Sequence, residues 1–445
     1  MLTLGRRLAL DALEPACAAF PDLDAAPLRA RPEGGQPREL TYAQALLAVV
    51  LRRWLTLEHV LHAVAEARIA TLPPRARAVL LIGTAELLFL DGTADHAAVS
   101  QAVEAMKEVA PKRMGFTNAV LRRVAEAVAG VEERPWSPSA DAVPHGRGLL
   151  RFKRPLFPPP SRVVRHLAAA TSHPRPLLRG WLDATDPHTL ARRALAGVRS
   201  PSMFVADEHH RFGLLAQDLT LTQWLAGDPR RRVQDPAAAA GIEHAARTPA
   251  AAATSVLDLC AGRGTKTRHL AARFPHAQID AYEPDPDRRA DLAEAAAALR
   301  EAGHRVRVVD DAVLDRGRAT YGLVLADVPC SNTAVLGRRP EARYRFSEKS
   351  VSAVVRLQSD ILERAAGLIR PGGWCLYQTC SLEPAENDDR ARGLADRLGD
   401  PDFASRRVEP GVEEVPDVTS SGECADGTGG LWHDGSYHAL LRARA

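Results

Sequence analysis

Apolar residues recur at helical intervals through the first third of the chain and gather into strand-like runs through the last. Leu8, Ala9, Leu10, Leu13 and Ala16 lie near helical spacing, as do Leu46, Leu47, Val50, Leu51 and Leu55 within residues 42–67. Residues 76–90 are apolar on most faces and predict a central helix, and residues 96–110 and 116–129 complete a bundle. The reading for residues 1–130 is therefore an all-α bundle. Pro135, Pro138, Pro144, Pro155, Pro158, Pro159 and Pro160 punctuate residues 131–160, which reads as a linker. Short helices over 162–170, 177–182 and 188–195 predict a small helical or mixed connector over 161–245. From about residue 254 the period changes. Runs at 255–259, 278–282, 305–309, 322–326 and 374–378 read as strands. They alternate with helical stretches at 265–273, 287–302 and 350–368. That alternation predicts a doubly wound parallel sheet, an α/β Rossmann-like domain over 246–445.

Length and charge narrow the classes. A chain of 445 residues exceeds one ordinary core, so two or three domains are expected. With 46% hydrophobic and 25% charged residues the composition is globular, and a net charge of +3 permits a nucleic-acid partner without indicating one. Arginines cluster at Arg52-Arg53, Arg122-Arg123, Arg151 to Arg154 and Arg230-Arg231-Arg232. Each cluster reads equally as a phosphate contact or as a solvated surface. The cysteines are Cys17, Cys260, Cys330, Cys375, Cys380 and Cys424, with no CxxC pair. Neither a disulfide framework nor a metal site is expected. The N-terminus lacks a signal-type apolar core, and no apolar run approaches the ~18–20 residues of a membrane span. A cytoplasmic monomer without a membrane partner is the expectation.

Two strand ends carry the candidate chemistry. Asp327-Val328-Pro329-Cys330-Ser331 follows an apolar run, and Tyr377-Gln378-Thr379-Cys380-Ser381 ends a second one. An acid, a proline and a thiol make a poor core, whereas chemistry in open α/β sheets lies beyond the carboxyl ends of strands. A lone cysteine is usually buried and inert, the reading given to Cys17, Cys375 and Cys424, with Cys260 packed in a loop. The first strand ends in Asp258-Leu259-Cys260-Ala261-Gly262-Arg263-Gly264-Thr265-Lys266-Thr267, whose small residues allow a tight turn into a helix start. A P-loop would need Gly-Lys-Ser/Thr, and a dinucleotide fingerprint would need a glycine or alanine at Thr267. An S-adenosylmethionine loop, with no phosphate to cradle, tolerates both departures. Glu283 ends the next strand, placed to accept ribose hydroxyls, and Asp311 follows the third, placed to accept from an adenine amino group.

Familiar motifs run through most of the chain. Residues 87–91 and 94–104, followed by Phe116-Thr117-Asn118-Ala119-Val120-Leu121-Arg122-Arg123, resemble the NusB-like RNA-binding domain, in the form fused to ribosomal RNA cytosine methyltransferases of the RsmB/Sun family. Here Asn118 is expected to cap or tether a helix start. Ser172-His173-Pro174 with Trp181 resembles the entry to that family's catalytic half. The loop Cys260 to Thr267 resembles its Cys-Ala-Ala-Pro-Gly-Gly-Lys-Thr, with Arg263 for the proline and Thr265 for a glycine. Asp327 to Leu336 resembles Asp-Ala-Pro-Cys-Ser-Gly-Thr-Gly-Val, with Asn332 and Ala334 replacing glycines. Tyr377 to Asn387 resembles Tyr-Ser-Thr-Cys-Ser…Pro-Glu-Glu-Asn.

The resemblance implies a class I S-adenosylmethionine-dependent RNA cytosine-5 methyltransferase, acting on small-subunit ribosomal RNA. It implies Cys380 as the nucleophile on cytosine carbon 6, Cys330 as the base or its relay in adduct breakdown, and Asp327 on the cytosine edge. The cofactor would be held by Cys260, Ala261, Gly262, Arg263, Gly264, Thr265, Lys266, Glu283, Asp311 and Asp327. Arg122, Arg123, Arg338, Arg339 and Arg343 would face the RNA. Two alternatives stay open: a transfer RNA methyltransferase, and an RNA-binding assembly factor whose cofactor loop has decayed.

Overall fold

The computed structural model describes residues 2–23, 37–66, 68–90, 92–146, 148–200, 202–209, 211–215, 220–317, 319–411 and 432–444. Cys424 lies outside these. Two units emerge. The first comprises Met1–Arg199 with Leu336–Ser347, and the second comprises Ser200–Val335 with Glu348–Ala445.

The first unit begins with the expected bundle: α1 (Leu4–Ala19), α2 (Pro37–Ala65), α3 (Pro74–Phe89), α4 (Asp95–Val109) and α5 (Met114–Ala127). Helix α3 is buried along most of its length, as its all-round apolar sequence requires. Trp54 of α2 is fully buried and stacks on Phe20 at 4.6 Å between ring centroids. The expected role of Asn118 fails: the helix starts at Met114, so Asn118 lies inside its second turn, and the residue before the helix is Arg113.

Residues 131–160 are not a plain linker. They belong to a three-stranded antiparallel sheet of β1 (Val128–Glu132), β2 (Ala142–His145) and β3 (Gly148–Phe152), ordered β1-β3-β2. Pro144 sits on β2, an edge strand, where a missing N–H costs least, and this is why proline spacing misled the reading. Helices α6 (Val163–Ala170), α7 (Arg175–Asp183) and α8 (Pro187–Val198) follow. The excursion Leu336–Ser347 completes the unit and carries α9 (Ala342–Arg345). The Tyr344 hydroxyl donates to the Leu51 carbonyl at 2.7 Å and lies 3.0 Å from Ser172 Oγ.

The second unit starts with a small sheet of β4 (Phe204–Ala206), β5 (Phe212–Leu214) and β6 (Arg232–Val233), with α10 (Leu221–Leu225) and then α11 (Pro236–Ala245). The main sheet has β7 (Ser255–Asp258), β8 (Gln278–Tyr282), β9 (Arg305–Val309), β10 (Tyr321–Asp327), β11 (Ile369–Thr379), β12 (Ala404–Val408) and β13 (Ser436–Arg442). Its order is β12-β13-β11-β10-β7-β8-β9. Strands β7 to β11 run parallel, while β13 is antiparallel to both β11 and β12. Helices α12 (Thr265–Arg273), α13 (Pro286–Glu301), α14 (Asp311–Arg316), α15 (Glu348–Leu368) and α16 (Asp388–Leu398) surround it.

Alternate residues of the strands feed two cores. Val256, Ile279, Leu323, Leu325 and Leu376 pack with Ile242, Leu270 and Leu299 on one face. Leu257, Val324, Ala326 and Tyr377 pack with Leu362, Ala365 and Leu394 on the other. Burial on both faces explains the unbroken apolar run of β10. Each such leucine contributes about 1.5–3 kcal/mol of transfer free energy. Chain order reverses between β7 and β10, which opens a crevice beyond their carboxyl ends. Among the described residues no helix is long and apolar enough to cross a membrane.

Candidate active site

The turn after β7 is stitched to its neighbours. Leu259 donates its amide to the Leu325 carbonyl at 2.9 Å, and Ala261 donates to the Tyr282 carbonyl at 3.0 Å. Gly262 and Gly264 both take left-handed φ values, +56° and +86°. At Gly264 the turn also runs close to α13, where a side chain would meet Ala295 at 3.1 Å and Leu292 at 3.2 Å. The two departures from the family loop sit on its outer side. The Arg263 guanidinium is 61% exposed and pairs with Asp291, and Thr265 is the exposed first residue of α12.

Acids line the strand ends. Glu283 is buried and accepts the amides of Gly262 at 2.8 Å and Asp285 at 3.0 Å. Asp258 is fully buried, accepts the Thr267 hydroxyl at 2.7 Å, and leaves its Oδ1 without a partner. Burial, with the charge of Asp327, pushes the Asp258 carboxyl up to about 7 despite the Thr267 hydrogen bond. Lys266 of α12 pairs with Asp327 of β10 at 2.5 Å. Burial pulls the Lys266 ammonium down, but Asp327, with Cys380 and Asp258 nearby, outweighs it and holds the group above its usual value. Burial and the surrounding Asp327, Asp258 and Glu283 push the Cys260 thiol well up, which leaves it a protonated packing residue. Asp311 stands exposed, tied to the Tyr282 hydroxyl at 2.8 Å and to Arg364 at 2.7 Å.

Strands β10 and β11 are register neighbours, with Asp327 opposite Gln378. Their ends bring the two half-exposed thiols together, Cys330 Sγ lying 3.0 Å from Cys380 Sγ. The hydrogen bond to Cys380, then burial, then the charges of Cys380 and Glu386 push the Cys330 thiol well up. Asn332, at φ +60°, bridges the pair: its Nδ2 donates to the Cys330 carbonyl at 2.9 Å, and its Oδ1 accepts from Cys380 Sγ at 3.2 Å. Ala334 donates its amide to the Cys380 carbonyl at 3.1 Å.

Several site residues escaped the sequence reading. Glu386 is fully buried and accepts from the Ser331 amide at 2.8 Å, Gln358 Nε2 at 3.1 Å and Ser381 Oγ at 2.9 Å, so one carboxylate braces both cysteine loops. Asn387 accepts the Thr379 hydroxyl at 2.6 Å and donates to the Ser381 carbonyl at 2.9 Å. The signal was present in the Pro384 to Asn387 motif, but sequence does not reveal that an acid there faces inward.

The arginines divide. Arg122, Arg123 and Arg338 are exposed in the first unit, and Arg339 is half-buried. Arg343 does not face RNA. It is 0% exposed and donates to the carbonyls of Leu336 at 3.0 Å, of Thr171 and Ser172 at 3.4 Å, and of Gly197. A guanidinium so enclosed holds the fold. Likewise Arg151 is paired with Glu132 and Asp141, Arg230 with Asp228, and Arg231 with Glu208. Cys17 and Cys375 are buried, as expected, with thiols pushed up to about 12 chiefly by desolvation. Among the described residues no group of three or more His, Cys, Asp or Glu is placed to hold a metal ion.

Comparison with known proteins places this geometry. The family model described as 16S rRNA methyltransferase RsmB/F matches residues 248–401, and that of the NusB family matches residues 6–126. Ribosomal RNA small subunit methyltransferase B of Xanthomonas campestris is 30% identical over 387 residues, 83% of each chain. The proteins of that name from Thermus thermophilus and Vibrio cholerae are 29% and 26% identical, covering 91% of this chain and 89% and 90% of theirs. A solved structure described as PH0851 shares the fold over 98% of both chains, with a TM-score of 0.63 at 17% identity. On these matches the chain belongs to the RsmB/F family of 16S rRNA methyltransferases, with a NusB-family domain ahead of the catalytic one.

Proposed function

We propose that this protein methylates carbon 5 of a cytosine in small-subunit ribosomal RNA, using S-adenosylmethionine and a covalent cysteine adduct. The observation that carries the reading is the Cys330–Cys380 pair, 3.0 Å apart at two adjacent strand ends beside the Lys266–Asp327 ion pair. The cofactor's fit rests on the acids around the turn. Glu283 and the unpartnered Asp258 Oδ1 supply acceptors suited to hydroxyls and an ammonium, and a side chain at Gly262 would meet nothing within 4 Å, so the turn is open above it. When bound, the cofactor supplies an electrophilic methyl group.

The residues would divide the remaining work. Cytosine carbon 5 is a weak nucleophile until a thiolate adds to carbon 6, which splits a hard step into easier ones. Cys380, with its sulfur between Cys330 and Asn332, forms that bond. Asp327, fixed by Lys266, hydrogen-bonds the cytosine edge. After methyl transfer the carbon-5 proton leaves to a base, the carbon–sulfur bond breaks, and Cys330 acts as the base or its relay. The target must be splayed from its stack, since stacking hides the face that a thiolate attacks. Arg122, Arg123 and Arg338, exposed on the first unit, are suited to RNA phosphates. Such an enzyme works in the cytoplasm, where ribosomes assemble.

Trapping tests the assignment. Cys330→Ala, incubated with S-adenosylmethionine and unmodified ribosomal RNA, should remain covalently attached to RNA on a denaturing gel, and Cys380→Ala should not. Loss of methylation without an adduct in Cys330→Ala, or an adduct in Cys380→Ala, sinks the assigned roles. The decayed-factor alternative draws on Arg263, Thr265, Asn332 and Ala334, whose placements above are compatible with an intact site. Failure of the wild type to bind S-adenosylmethionine in a titration would favour that alternative.

A further inference from the structure

The two thiols of the site are held face to face by more than their own contact. Cys330 Sγ and Cys380 Sγ lie 3.0 Å apart, only about 1 Å beyond the ~2.05 Å of a sulfur–sulfur bond. They extend neighbouring parallel strands, whose ~4.8 Å spacing falls within the backbone separation that a disulfide spans. The loops that carry them are tied at several points. Val328 donates its amide to the Gln378 carbonyl at 3.2 Å, and Ala334 donates to the Cys380 carbonyl at 3.1 Å. Ser331 Oγ lies 3.1 Å from Ser381 Oγ. Gln358 Nε2, on α15, donates to the Pro329 carbonyl at 2.9 Å and to Glu386 at 3.1 Å. A side-chain movement therefore suffices to bring sulfur onto sulfur, with the strands left where they are.

Both residues retain exposed surface, whereas Cys17 and Cys375 are buried. A sulfur made nucleophilic toward cytosine is equally nucleophilic toward a peroxide oxygen. Oxidised alone, such a sulfur passes through a sulfenic acid to a sulfinic acid, which dithiols do not reduce. A second thiol in contact intercepts the sulfenic acid and stops the ladder at a reversible rung.

We infer that the pair is a redox switch: hydrogen peroxide converts Cys330 and Cys380 into a disulfide that silences methylation until a dithiol reopens it. The inference rests on the cytosine-methylating reading above. Cys380, as thiolate, attacks one oxygen of the peroxide. The oxygen–oxygen bond breaks, the sulfur becomes a sulfenic acid, and the departing hydroxide takes up the proton that Cys380 released. The Cys330 sulfur then attacks the sulfenic sulfur. The sulfur–oxygen bond breaks, and hydroxide leaves as water with the Cys330 proton. The two sulfurs together lose two electrons, and the peroxide is reduced to two waters.

The test treats the full chain with hydrogen peroxide, blocks the remaining thiols with iodoacetamide, and maps the cysteines by peptide mass. Methylation of unmodified small-subunit ribosomal RNA is assayed alongside. A peptide joining Cys330 to Cys380 should appear while methylation falls about 10-fold or more, since the nucleophile is consumed. Dithiothreitol should separate the peptides and restore the rate. Cys330→Ser, read by mass alone, should give no joined peptide and carry Cys380 as a sulfinic or sulfonic acid that dithiothreitol leaves in place. A wild type that methylates before treatment yet forms no joined peptide, or joins Cys380 to Cys260 or Cys424, overturns the switch and leaves the enzymatic reading standing. So does a joined peptide in protein that still methylates at its untreated rate. An untreated wild type that methylates no RNA overturns the enzymatic reading and the switch with it.

Discussion

Asn332 stands where the family carries glycine, at φ +60°, a conformation that asparagine tolerates better than other side-chain-bearing residues. Here the replacement adds contacts, because its amide bridges Cys330 and Cys380. Asn332→Gly should hold stability within about 1 kcal/mol yet slow turnover, since the backbone is satisfied and the bridge is lost. Asn332→Val should cost about 1–3 kcal/mol through left-handed strain. Denaturant midpoints and single-turnover rates separate the two, and equal stabilities would reject the strain argument. At this scale the sequence was most legible where chemistry dictates spacing: Cys330, Cys380, Asp327 and Glu283 fall at or just beyond the strand ends expected for them, and Lys266 lies in the first turn of the helix expected after the small-residue turn. It was least legible where the outcome depends on burial. Arg343 reads as basic surface until the carbonyls of Gly197 and Leu336 are seen around it.

At the scale of elements, the five parallel strands of the main sheet, β7 to β11, followed from their apolar runs, because burial on both faces leaves little choice of residue. The small sheet of β1 to β3 did not, since an edge strand admits Pro144 and looks like a linker. Strand β12 was missed for a related reason: Ala404–Val408 is largely exposed and reads as polar coil. The turn that carries Glu386 matters more to chemistry than to folding. Its carboxylate holds Ser331 and Ser381, and its negative charge is one cause that keeps the Cys330 thiol up. Glu386→Gln removes that charge, so Cys330 must ionise at lower pH than in the wild type. If Cys330 serves adduct breakdown as a base, the rate of breakdown rises as pH passes its pKa, and the rise should move to lower pH in the variant. Single-turnover adduct decay measured against pH checks this, and a superimposable profile would argue that Cys330 is not the titrating group.

For the whole molecule, the division into a helical N-terminal part and an α/β C-terminal part was readable from the change of hydrophobic period. Its boundaries were not, because they depend on where an exposed-looking basic stretch folds. Leu336–Ser347 belongs with the first unit and places Arg343 and Tyr344 inside it. Arg343→Met would leave buried carbonyls at Thr171, Ser172, Gly197 and Leu336 without that donor. The expected loss is about 3 kcal/mol, read as a lower denaturant midpoint. An unchanged midpoint would show that the guanidinium contributes little to holding the unit.

The placement of residues 336–347 also bears on inheritance. A gene fragment ending near codon 199 encodes a helical half deprived of its own interior tyrosine and arginine. Shuffling between relatives at that codon would pair one parent's carbonyl cage with the other parent's guanidinium. Viable chimeras should therefore carry both stretches from the same parent, although 136 codons separate them. The unit that selection can exchange is discontinuous in the gene.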